Sequence, residues 1–81
     1  MAKHKGEDLR RGNAAKDVLD NELYQEAFEK VRTGLIDLLL NTEYSEGEDR
    51  DSYYMAIKSL ELVQQYMESV LTTGKFAQAE H

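Results

Sequence analysis

The chain has 81 residues, no cysteine, no proline and no tryptophan, and a formal net charge of −6. That length allows one domain with a marginal core, and without cysteine no disulfide can reinforce it. Histidine occurs only as His4 and His81, which excludes a histidine-built metal site in the middle of the chain and leaves oligomerisation as the expected source of extra stability.

The leading segment is basic. Residues 1–16 carry five basic against two acidic side chains, a net +3, while the remaining 65 carry five against fourteen, a net −9. Residues 1–12 are polar and include Gly6 and Gly12, so they are expected to form a flexible arm with little to bury. Lys3, Lys5, Arg10 and Arg11 are its candidate contacts with phosphate or an acidic protein surface. The plainer expectation is a solvated tail. Asn13 is the predicted N-cap of a weak helix start, and Asp17 and Asp20 favour the positive end of a helix.

A first helix is predicted over about 17–40. Tyr24, Phe28, Val31, Leu35 and Leu38 recur at a 3–4 spacing, a one-sided seam flanked by Leu23 and Ala27. Glu26 and Lys30 form an exposed pair four residues apart. Gly34 costs about 1 kcal/mol relative to alanine inside a helix; close approach of a neighbour and simple tolerance both account for it. Near the end, Ile36, Leu39 and Leu40 spread apolar side chains almost all round. One neighbour cannot cover them, which points to a second interface.

Asn41 to Gly47 reads as the connection. Asn41 is expected to cap the first helix in a left-handed conformation, and Ser45 with Glu48 has capping-box spacing. The second helix is predicted over about 46–73, with Tyr53, Ala56, Leu60, Val63, Met67 and Val70 on one seam, widened by Ile57 and Leu71. A second stripe holds Met55, Leu62 and Tyr66. Gly74 is the expected left-handed stop, with Phe76 folding back and residues 77–81 a frayed tail. The fold expected is therefore all-α: residues 13–76 as an antiparallel two-helix hairpin, pairing into a four-helix bundle or a larger helical oligomer. Its candidate interface is Ile36, Leu39, Leu40, Met55, Leu62 and Tyr66.

No convergent chemistry is legible. There is no cysteine nucleophile and no central histidine base, and Glu22, Glu26 and Glu29 share a flank without the Glu-x-x-His motif of bundle di-metal sites. The loop acids Glu43, Glu46, Glu48, Asp49 and Asp51 fail the calcium register. With Gly47 at the turn, the first and closing ligand positions fall on Thr42 and Tyr53. No glycine-rich phosphate loop occurs. The expectation is no enzyme, no cofactor and no metal. The acidic helices disfavour nucleic acid, leaving only the arm, which has no aromatic to stack a base. No apolar run reaches the ~20 residues of a membrane span, and Met1–Gly6 lacks the apolar segment of a signal peptide.

The hairpin resembles a group of short, mostly uncharacterised helical proteins of tailed phages and prophages, encoded near head, portal and DNA-packaging genes. The resemblance covers about residues 20–75. It rests on Leu23 with Glu26-Ala27-Phe28, Asn41-Thr42 at the bend, Glu48 and Arg50 at the second helix start, Lys58 and Leu60 in its middle, and Thr73-Gly74-Lys75 at its end. The chain departs from the group at Glu43, where a proline or other turn residue is usual, and at Tyr54, where tryptophan is common. The resemblance implies a phage or prophage origin and a part in virion assembly; with neither a membrane span nor a signal peptide legible, the protein is expected to be soluble, in the bacterial cytoplasm or on the virion. It carries no catalytic residue.

The function expected is a non-enzymatic assembly or interaction protein that self-associates and binds a protein partner. The alternative is a small acidic inhibitor or regulator of a host or phage enzyme, with Asp17, Asp20, Glu22, Glu26, Glu29 and Asp37 as a partial ladder of charge.

Overall fold

A computed structural model describes residues 2–79, with side chains from Lys5 onward. It is all-α, with no strand among the described residues. Three helices follow one another: α1 (Ala2–Leu19), α2 (Glu22–Leu40) and α3 (Gly47–Ala79). Both α1 and α2 pack along α3 and barely touch each other. With 33 residues, α3 is the spine, about 50 Å long at 1.5 Å per residue. The whole measures 57 × 25 × 14 Å.

The expected two-helix hairpin is thus corrected to three helices. The predicted first helix breaks at Asp20-Asn21. Asn21 is extended (φ −70°, ψ 122°), and its side chain accepts a hydrogen bond from the Tyr24 amide at 2.9 Å, which makes it the N-cap of α2. The Gln25 side-chain amide donates to the Leu19 carbonyl at 2.7 Å, satisfying part of the open end of α1. Lys16 pairs with Asp20 at the same corner. Asn13, the predicted cap, lies inside α1 instead.

The flexible arm is also corrected. Residues 2–12 are helical; Met1 lies outside the described residues. The cause is a close crossing of backbones. A Cβ placed on Gly12 would stand 2.7 Å from the Gly74 Cα, and one on Gly74 would stand 2.7 Å from the Gly12 Cα. No side chain fits between the two helices there. Ala15 (2% exposed) and Ala77 (5% exposed) continue the contact. Gly74 is therefore an interior crossing residue and not a stop. It has no positive φ, and α3 runs on past it. Phe76 does not fold back; it is 69% exposed. In the expected frayed tail, 77–79 are helical, and 80–81 lie outside the described residues. Each helical glycine costs about 1 kcal/mol in propensity, and the packing they permit offsets it.

The other half rests on larger side chains. Ile57 of α3 is 8% exposed, while α2 buries no residue fully. Tyr24 donates its hydroxyl to the Gln64 side chain at 3.1 Å, and Arg32 meets Glu61 at 3.6 Å. The rings of Tyr24 and Phe28 tilt against each other with centroids 6.1 Å apart.

Between α2 and α3, Asn41 caps without the expected left-handed turn. Its φ is −98°, and its side-chain amide donates to the Asp37 carbonyl at 2.7 Å. The predicted Ser45–Glu48 capping box does not form either. The Glu46 carbonyl accepts the first bond of α3, from the Arg50 amide at 3.1 Å, so the cap falls one residue later than expected. Arg50 reaches back to the carbonyls of Glu43 (2.8 Å) and Tyr44 (3.2 Å) and holds the loop closed.

Candidate functional site

The features of this molecule that can do work are open apolar faces. Leu40 (75% exposed), Met55 (62%), Leu62 (63%) and Tyr66 (60%) are exposed, whereas Ile36 and Leu39 are half-buried. The fold does not gather these six predicted interface residues into one patch. Ile36 and Leu40 follow Arg32 at four-residue steps, so they continue the side of α2 that carries the Arg32–Glu61 pair. Met55 and Leu62 each lie two residues, about 200° round the helix, from Ile57 and Gln64, which face α2. The Met55–Leu62–Tyr66 stripe therefore points away from α2.

The predicted basic contacts sit on α1 and not on a free arm. Arg10 and Arg11 are exposed and Lys5 is half-buried; of Lys3 only the backbone lies within the described part. Arg11 donates to the Tyr66 hydroxyl at 3.0 Å. That bond ties one predicted arm residue to one predicted interface residue within the same chain. Two shallow clefts of about 200 Å³ adjoin it. One is polar, lined by Asp8, Arg11, Tyr66, Ser69 and Thr73; the other is apolar, lined by Ala14, Ala15, Val18, Met67 and Val70.

Neither cleft holds an acid–base pair or an activated nucleophile. Lys16, outside both clefts, has a raised pKa. The hydrogen bond that its ammonium donates to Asp20, and then the charge of Asp20, raise it above its ordinary value, and both groups stand in solvent. Among the described residues no cluster of His, Cys, Asp or Glu could hold a metal ion. No helix of the described chain is long and apolar enough to cross a membrane.

The structure also exposes a row that the sequence reading did not single out. Leu23 (71% exposed), Val31 (52%) and Leu38 (49%) lie with Ala27 and Gly34 along one edge of α2, at steps of four, four, three and four. Val31 and Leu38 were expected in the seam against the second helix. Tyr24, Phe28, Leu35 and Leu39 take that seam, all of them half-buried. The signal was present in the spacing, but two overlapping 3–4 rows share α2, and only the position of α3 decides which is covered.

No protein-family model, curated protein or solved structure matches the chain.

Proposed function

We propose that the protein is a non-enzymatic assembly module that works by burying its open apolar faces against other helices, first those of its own copies and then those of a protein partner. One observation carries this reading. Among the described residues, twelve large apolar side chains are exposed, while Ile57 is the one large apolar side chain that is buried. Fully burying a Leu, Val or Met is worth about 1.5–3 kcal/mol, so covering the exposed 40–75% of each recovers a corresponding part of that, summed over several residues. A short chain with so small a core draws its extra stability from association. The resemblance to the phage hairpin proteins extends this reading to virion head assembly or DNA packaging. The basic residues of α1 then offer a salt-dependent contact to an acidic surface or to nucleic acid.

A second reading, a small acidic inhibitor or regulator, is favoured by one feature. Glu22, Glu26, Glu29 and Asp37 are exposed and fall on one side of α2.

The first reading is tested by molar mass in solution, from sedimentation equilibrium between about 1 and 200 µM. Masses at multiples of the 9.3 kDa chain are expected. A single 9.3 kDa species across that whole range overturns it.

A further inference from the structure

The open edge of α2 has a shape and a charge pattern that fit a second copy of itself. Leu23, Val31 and Leu38 stand up from it, while Ala27 and Gly34 leave gaps between them. Nothing lies within 4 Å of where a Gly34 Cβ would be, so no neighbour inside the fold accounts for this glycine. Lys30 and Asp37 flank the row, both exposed, and neither belongs to an ion pair among the described residues.

We propose that α2 of one chain pairs antiparallel with α2 of a second copy, in the register that sets Val31 against Gly34 and Leu38 against Ala27. The proposal rests on the self-association put forward above and names its face. Knobs of one helix then meet holes of the other, the packing that close helix pairs require. The two-fold axis makes every contact occur twice. In this register Lys30 of each chain faces Asp37 of the other. Charge rejects the alternatives. Sliding by one heptad in one direction brings Lys30 against Lys30, and in the other direction Asp37 against Asp37. A parallel pair sets Gly34 against Gly34 and leaves a void. The chosen register also carries Leu23 toward the partner loop that bears Tyr44, a side chain 96% exposed in the single chain. Val63 of α3 (56% exposed) borders the same side, about half a turn round α3 from Glu61. It can enter the contact without disturbing the Arg32–Glu61 pair.

The test exchanges the charges. Lys30→Asp and Asp37→Lys are made separately, helix content is confirmed by circular dichroism, and association is read by sedimentation velocity alone and in equimolar mixture. Each variant alone meets like charge twice across the pair, and its self-association weakens at least about tenfold. The mixture restores opposite charges at both contacts and recovers the affinity of the unmodified chain. Variants that associate as tightly as the unmodified chain, or a mixture no tighter than its components, overturn the register and leave the assembly role standing. An unmodified chain that never associates overturns both.

Cross-linking gives a second measurement that does not depend on charge. The chain has no cysteine of its own. Ala27→Cys and Leu38→Cys, both at exposed positions, should each remain unlinked alone and form a disulfide when mixed under oxidation. Absence of the mixed disulfide in an associating sample, or equal linking of each variant to itself, contradicts the register.

Discussion

The two halves of this molecule are held by opposite means. Where α1 crosses α3, Gly12 and Gly74 bring backbone onto backbone, with Ala15 and Ala77 beside them. No large side chain sits in the crossing itself, and Val18, Met67 and Val70 border it. Where α2 meets α3, the contact uses Ile57, Tyr24, Phe28 and Leu35, and the same helices keep Leu23, Val31, Leu38 and Leu62 in solvent. At the crossing itself no side chain can be added, although Val18 and Phe76 of the same half stay in solvent. The second half leaves Leu23, Val31, Leu38 and Leu62 uncovered, the surface that the proposed association would bury. The two halves thus differ in how their helices approach: backbone on backbone at the Gly12–Gly74 crossing, and side chain on side chain around Ile57, where most of the exposed apolar residues also lie.

The sharpest way to break this division is to fill the crossing. Gly74→Leu places a side chain where even a Cβ meets backbone at 2.7 Å. We expect α1 to leave α3, with a loss of about 3 kcal/mol or more. Urea unfolding and amide exchange across Ala2–Leu19 read it; unchanged protection of α1 contradicts the crossing. Ile57→Ala attacks the other half. It should cost about 2–4 kcal/mol, read as a lower urea midpoint, because this is the one large apolar side chain buried among the described residues. Asn21→Ala tests the joint between the halves. Loss of the 2.9 Å bond to the Tyr24 amide should cost about 1 kcal/mol. A null result there would mean that packing alone sets the break.

The smallest effect belongs to the corner ion pair. Lys16 is raised above its ordinary 10.5 by the Asp20 hydrogen bond and charge. Any stabilisation it adds is therefore present below pH 10.5 and is lost as pH climbs through the raised value. Both partners stand in solvent, so Asp20→Asn should leave the thermal midpoint at neutral pH unmoved within error. A measurable drop would show that the corner carries more of the α1–α2 joint than its exposure suggests.

How far the chain could be read follows from the same contrast. Helical period and the acidic loop announced α2 and α3, because side-chain spacing alone decides an amphipathic helix. The 3–4 rows also announced surplus apolar surface at Leu62 and Tyr66. What stayed hidden was chemistry that depends on a partner far along the chain. Gly12 looked like a loosener and Gly74 like a stop, since a glycine's own residue type does not reveal that another glycine faces it. Asn13 was expected to cap and lies inside α1, whereas Asn21, which does cap, sits inside a stretch whose helical period gave no sign of a break. On α2, Val31 and Leu38 belong to one row and Phe28 and Leu35 to another. The direction of α3 decides between them, and no local pattern encodes that direction. The link from Arg11 to Tyr66 joins residues 55 positions apart and had no signal in spacing or motif.

The division is tested most directly by following amide exchange of α1 and α2 separately as chain concentration is raised from about 1 to 200 µM. Association through the edge of α2 predicts that amides of Glu22–Leu40 become more protected with concentration, while those buried at the Gly12–Gly74 crossing exchange at a constant rate. Protection that is independent of concentration in α2, or that rises first in α1, would contradict it.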